Sequence, residues 1–154
     1  EIRIWYENDA GETELVLDPG GQVLNPPDLS VLDADPVAWV NQPQGGMSVS
    51  LSFQASLELG EEINRLDTLL ALEQANQAMR RVGGVAALFA PSFKTLVFIF
   101  DGAAPEAWAV HADGRRTALI VQESQAIYRP NDRDLRDVEY LVFGHAPARV
   151  LLES

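Results

Sequence analysis

Met47-Ser48-Val49-Ser50-Leu51-Ser52-Phe53-Gln54-Ala55-Ser56-Leu57, running on into Glu58-Leu59-Gly60-Glu61-Glu62, is the stretch on which the fold turns. Apolar residues at 47, 49, 51, 53, 55 and 57 alternate strictly with polar ones, the period of a strand with one face in a core and one in water. One-sided burial of this kind belongs to antiparallel sheets. At about 3.4 Å per residue such a strand spans about 35 Å, long for a small domain, so a bend or bulge is expected in it.

Directly downstream the period changes. Ile63, Leu66, Leu69, Leu70, Leu72, Met79 and Val82 recur at helical spacings. Glu61 and Glu62 suit the positive end of a helix dipole, Arg80 and Arg81 the negative end, and Gly83 a stop. The pattern predicts one long helix over about 61–82, with Leu66 and Leu70 on its buried face. Its apolar stripe drifts around the cylinder, so the second half is expected to meet a different neighbour, either the 84–90 segment or a second subunit.

On the N-terminal side, Ile2, Ile4 and Tyr6 alternate as a strand. Asn8-Asp9-Ala10-Gly11 is turn chemistry, and 14–17 can form the return strand. Asp18-Pro19-Gly20-Gly21 is a second turn, after which Val23 and Leu24 begin a short strand. Residues 25–36 hold three prolines and no period, which predicts a surface loop pinned by Leu29, Val31 and Leu32, with a strand at 37–40 after it.

On the C-terminal side, Thr95-Leu96-Val97-Phe98-Ile99-Phe100 is continuously apolar and suits a strand buried on both faces. Ala107–His111 and Thr117–Gln122 flank Ala112-Asp113-Gly114-Arg115, a hairpin signal. Ala126–Arg129 reads as a short edge piece and 130–137 as a charged loop. Val138–Phe143 and Ala148–Leu152 read as a final pair joined by Gly144-His145-Ala146-Pro147. The sum is an α+β fold, a mostly antiparallel sheet built from hairpins with one long helix packed on it, in a single domain over 1–154.

Charge is the most informative bulk property. The net charge is −12, and residues 1–62 hold twelve acidic groups against one basic group, Arg3, while 63–154 hold eleven against ten. A field of that sign repels nucleic acid and anionic lipid and attracts basic surfaces. There is no cysteine, so disulfides and thiol chemistry are out. No apolar run nears the ~20 residues that span a bilayer, the longest being Val85–Pro91. The compartment stays open, with a slight lean to the cytoplasm. Ten arginines to one lysine point to a GC-rich genome, bacterial or phage. Glu1 in place of methionine is read as a processed or excised terminus.

The chain lacks a nucleophile elbow, a phosphate loop, a dinucleotide fingerprint and a His-Glu-x-x-His pair. Only His111 and His145 are present. Both fall in or beside turns and read as surface residues, because a base needs a positioned partner. Asp28, Asp33 and Asp35, and again Asp132, Asp134 and Asp137, cluster without a calcium-loop spacing. The second set is interleaved with Arg129, Arg133 and Arg136 and reads as a surface ion-pair network. Neither metal nor cofactor is expected.

Three functions follow. The first is a non-enzymatic interaction module of inhibitor, immunity or chaperone type, presenting Asp9, Glu12, Glu14, Asp28, Asp33, Asp35 and Glu58 to a basic protein partner. The second is a structural subunit of a larger assembly such as a phage particle or secretion machine. There the serine-faced strand and drifting helix stripe would pair copies into a homo-oligomer. The third is an enzyme of unfamiliar kind using Asp101, which ends the buried strand before Gly102.

Overall fold

The structure, a computed structural model, describes residues 2–47, 53–82 and 92–154, the side chains of Leu29, Leu32 and Val82 apart. The sequence reads as one domain over 1–154. The backbone groups into two compact units, residues 1–50 and residues 51–154.

The first unit holds a three-stranded antiparallel sheet of β1 (Ile4–Asn8), β2 (Gly11–Leu15) and β3 (Ala38–Val40) in the order β2-β1-β3. The hairpin closes where the Asn8 side chain accepts from the Ala10 N–H at 2.9 Å and Gly11 takes φ +112°, which a side chain would strain. At the next turn Asp18 Oδ1 accepts from the Gln22 N–H at 2.8 Å, and Leu17 and Val23 form an isolated bridge. The 25–36 loop is more structured than its prolines predict, because α1 (Leu29–Asp33) makes one helical turn inside it. Asp28 sits before that turn and caps it, accepting from the Val31 N–H at 3.0 Å.

The second unit contains two antiparallel sheets. One runs β4-β12-β6-β10-β9, comprising β4 (Phe53–Gln54), β6 (Thr95–Ile99), β9 (Ile120–Gln122), β10 (Gln125–Tyr128) and β12 (Arg149–Glu153). The other runs β5-β11-β7-β8, comprising β5 (Glu62–Asn64), β7 (Ala107–His111), β8 (Arg116–Ala118) and β11 (Val138–Phe143). Phe98 and Phe143 meet between the sheets with ring centroids 4.9 Å apart, inside a core that includes Leu96, Ala126, Tyr128, Leu141, Val150 and Leu152. Leu96, Val97 and Phe98 are all buried, so β6 has both faces covered, as its continuous apolar run predicts.

Of the alternating stretch, 48–52 lie outside the described residues. Met47 is not in a strand, and only Phe53–Gln54 pairs, with β12. The alternation itself persists further: 53, 55, 57 and 59 are half-buried while 54, 56 and 58 are exposed.

The long helix, α2 (Arg65–Val82), starts later than the acidic pair at 61–62 implies. Residues 62–64 pair with β11 instead, Ile63 opposite Leu141, and Asn64 Oδ1 caps the helix by accepting from the Leu66 N–H at 2.8 Å. Its buried stripe also differs from the expected one. Leu66 is 70% exposed and Leu70 56%, whereas Thr68, Ala71 and Leu72 are buried and Ala75 and Met79 lie against the core. Leu72 and Met79 of the expected stripe do face the core, and the small residues Thr68, Ala71 and Ala75 take the other inward positions and let the helix approach the sheet closely. Asn76 then ties the helix to the segment leading into β6, donating to the Phe93 carbonyl at 3.1 Å and accepting from its N–H at 2.7 Å. The proposed stop at Gly83 and the 84–90 segment lie outside the described residues.

Three features depart from the hairpin reading. The expected 117–122 strand breaks at buried Leu119, with 116–118 in one sheet and 120–122 in the other. β11 and β12 do not pair with each other, because the 144–147 link carries the chain across to pair with β6. The 126–129 piece, expected at an edge, lies inside its sheet between β6 and β9. No helix among the described residues is long and apolar enough to cross a membrane.

Candidate functional site

Strand alternation and register place a specific set of side chains on one face of the first sheet. Trp5 stands opposite Glu14 on β2 and opposite Trp39 on β3, and Glu7 stands opposite Glu12. Since residues i and i+2 share a face, Trp5, Trp39, Glu7, Glu12 and Glu14 line one surface, with Tyr6 buried on the other. Trp39 is 52% exposed, a large indole in water on the edge strand of this surface.

The carboxylates there differ in their partners. Glu14 holds Arg3 by two hydrogen bonds, Nε to Oε1 and Nη2 to Oε2, both 2.8 Å, and the guanidinium lies 6.0 Å from the Trp5 ring centroid. The Arg3 hydrogen bond keeps the Glu14 carboxyl below its usual range. Glu7 and Glu12 face each other instead, an arrangement of like charges that destabilises a strand pair. The first unit holds nine acidic residues and one basic residue, Arg3, and on this face Glu7, Glu12 and Glu14 outnumber that cation.

The remaining acidic candidates divide. Asp9 lies at the β1–β2 turn and lines a concavity with Ser30, Val31 and Pro36. Asp28 caps α1, and the Ser30 hydroxyl, 2.6 Å from its Oδ1, is the main cause of a lowered pKa. Asp33 ends α1, and Asp35 takes φ +48° beyond it; both are exposed. Glu58 belongs to the second unit, beside Asp67 and Leu70 around a separate shallow concavity.

The second unit contains a constellation that sequence reasoning misses. His111 is a core residue, 1% exposed, and not a surface turn residue. Its Nδ1 lies 2.9 Å from Asp137 Oδ1 and its Nε2 2.8 Å from Thr117 Oγ1. Arg115 Nη2 lies 3.3 Å from the other Asp137 oxygen. The partner a base requires is therefore present, brought in by the pairing of β11 with β7, where Val138 faces His111. The His111 hydrogen bond is the largest of the effects that lower the Asp137 pKa. This also revises the expected ion-pair network: among the described residues Asp137 pairs with Arg115 and His111, not with Arg129, Arg133 or Arg136.

His145 is exposed with its ring edge-on to Phe100 at 5.3 Å. Asp101 is exposed in the turn after β6, where Gly102 takes φ +86°. Among the described residues no three metal-ligating side chains come together. Comparison with models of protein families, with curated proteins and with solved structures finds no match to this chain.

Proposed function

We propose that the chain is a protein-interaction module whose first unit binds a basic, extended segment of a partner protein on the Trp5–Trp39 face. The observation that carries this is the cross-strand tryptophan pair flanked by the opposed carboxylates Glu7 and Glu12. Indole faces attract guanidinium and ammonium groups, and the repulsion between Glu7 and Glu12 is relieved by a cation placed between them. Tryptophan is also a favoured anchor at the centre of interfaces. Asp9 and Asp35 extend the negative field outward, and the same field disfavours nucleic acid and anionic lipid. Arg3 over Trp5, held by Glu14, is an intramolecular contact of the kind proposed for a partner arginine.

The test is a titration of the full chain carrying Trp108→Phe, which leaves Trp5 and Trp39 as reporters, with an arginine-rich peptide. Saturable quenching that Trp39→Ala abolishes supports the reading. No change in emission, or equal change with a glutamate-rich peptide, counts against it.

One observation favours a second reading, assembly with other copies. Ile120, Val121 and Gln122 form an exposed, uncharged edge strand, β9, of the kind that accepts another strand. Concentration-dependent size in solution, lost on Ile120→Lys, would support it.

A further inference from the structure

We propose that Thr117, His111 and Asp137 form an acyl-transfer centre for small neutral esters, with Thr117 Oγ1 as nucleophile, separate from the acidic face of the first unit. An ionised aspartate only accepts, so the 2.9 Å contact makes His111 Nδ1 the donor. In the tautomer that carries its proton on Nδ1, Nε2 is the acceptor facing Thr117 Oγ1 at 2.8 Å, and the hydroxyl can donate to it. A hydroxyl bonded to an oriented base is the arrangement that activates an alcohol for attack.

The surroundings suit that chemistry. The base is sealed in the core, but Thr117 is half-exposed and lines a concavity of about 170 Å³ with Ala118, Ile127, Arg129 and Leu135. Backbone bonds from His111 N–H to Arg115 and from Leu119 N–H to Ala107 fix the alternation of the β7–β8 ladder. By that alternation Thr117 bonds inward to β7, and the next N–H, that of Ala118, faces the open edge of the sheet. A donor one residue after the nucleophile, in a concavity that the cationic residue Arg129 also lines, can stabilise an oxyanion. Asp132 and Asp134 line it too and disfavour an anionic substrate.

In the reaction Thr117 Oγ1 bonds to the ester carbonyl carbon as its proton passes to His111 Nε2. The tetrahedral centre collapses, the C–O bond to the alcohol breaks, and the alcohol leaves with that proton. Water repeats the sequence on the acyl-threonine, releasing the acid and restoring the hydroxyl. Asp137 is a positioning residue, holding the tautomer.

The experiment treats the full chain with p-nitrophenyl acetate, follows the burst of p-nitrophenolate and locates the acetyl group by peptide mass spectrometry. Lys94 is the single lysine, so amine background is confined to it and the N-terminus. An acetyl group on Thr117, retained as a serine ester in Thr117→Ser and lost with the burst in Thr117→Val, is the expected result. Asp137→Asn should slow acylation roughly a hundredfold, with Asp137→Glu recovering part of the rate. Acetyl found on amines alone, or folded Asp137→Asn acylating at the wild-type rate, overturns the proposal. Where Thr117→Val fails to fold, the Asn and Glu variants at 137 decide between these outcomes.

Discussion

Glu7 and Glu12 stand directly opposite one another on the exposed face of the β1–β2 hairpin, Glu7 being the next residue on that face of β1 after Trp5, and no ion pair to either is found among the described residues. Like charges so placed weaken a hairpin, by about 0.2–1 kcal/mol on the scale of cross-strand pairs. Glu12→Lys converts the pair into an attractive one. The variant is expected to raise the urea midpoint modestly while weakening binding to a basic peptide. A lower midpoint for Glu12→Lys would mean that the two carboxylates do not repel in the folded chain.

Leu72 and the pair Leu66 and Leu70 separate the two faces of α2. Leu72→Ala removes a buried side chain and is expected to cost about 2–5 kcal/mol in urea unfolding. Leu66→Ala and Leu70→Ala, both largely exposed, are expected to stay within about 0.5 kcal/mol. Comparable losses at all three positions would show that the exposed face is covered in solution.

These helix positions show what the sequence makes legible and what it does not. Turn chemistry is local, so Asn8–Gly11 and Asp113–Gly114 announce their hairpins, with Gly114 at φ +82° as a glycine allows. The stripe of α2 is right at Leu72 and Met79 and misleads at Leu66 and Leu70, because hydrophobicity marks leucine whereas close packing places Thr68 and Ala71 inward. The helix start misleads because pairing of Ile63 with Leu141 overrides the acidic signal at 61–62. His111 and Asp137 are 26 residues apart, and only the register of β7 on β11 unites them. The Trp5–Trp39 pair likewise depends on β3 returning to β1 across the proline loop, which no local period encodes.

Tyr128 is fully buried, and its hydroxyl, like Arg65 Nε, meets no hydrogen-bond partner of good geometry among the described residues. Burial pushes its phenol pKa up, with Arg65 and Thr68 beside it pulling the other way though neither meets its hydroxyl in good geometry. Removing an unsatisfied buried hydroxyl relieves its desolvation, so Tyr128→Phe is expected to be neutral or to stabilise by about 1 kcal/mol. A loss of more than about 1 kcal/mol by thermal or urea unfolding would mean that the hydroxyl is bonded.

Asp137 links stability to pH. Its carboxyl is held below the unfolded value near ~3.9 by His111 first, with Arg115 assisting. A depressed folded pKa contributes stability that is complete above the unfolded pKa and is lost as pH falls through the folded one. Asp137→Asn should therefore lower the urea midpoint at neutral pH and make its decline below about pH 4 shallower. Glu14 and Asp28, also lowered, keep part of that decline in the variant. Parallel curves for the two proteins across the acid range would argue against the link.

The most direct test of the docking account is the association rate of the full chain with an arginine-rich peptide, by stopped flow at 0.1 M and 1 M salt. The Debye length falls from about 10 Å to about 3 Å over that range. The account predicts a steep fall in on-rate for the wild type and a slower, flatter response for the double variant Glu7→Gln, Glu12→Gln. Trp39→Ala is predicted to act chiefly on the off-rate. Equal on-rates for the wild type and the double variant at both salt concentrations would contradict it.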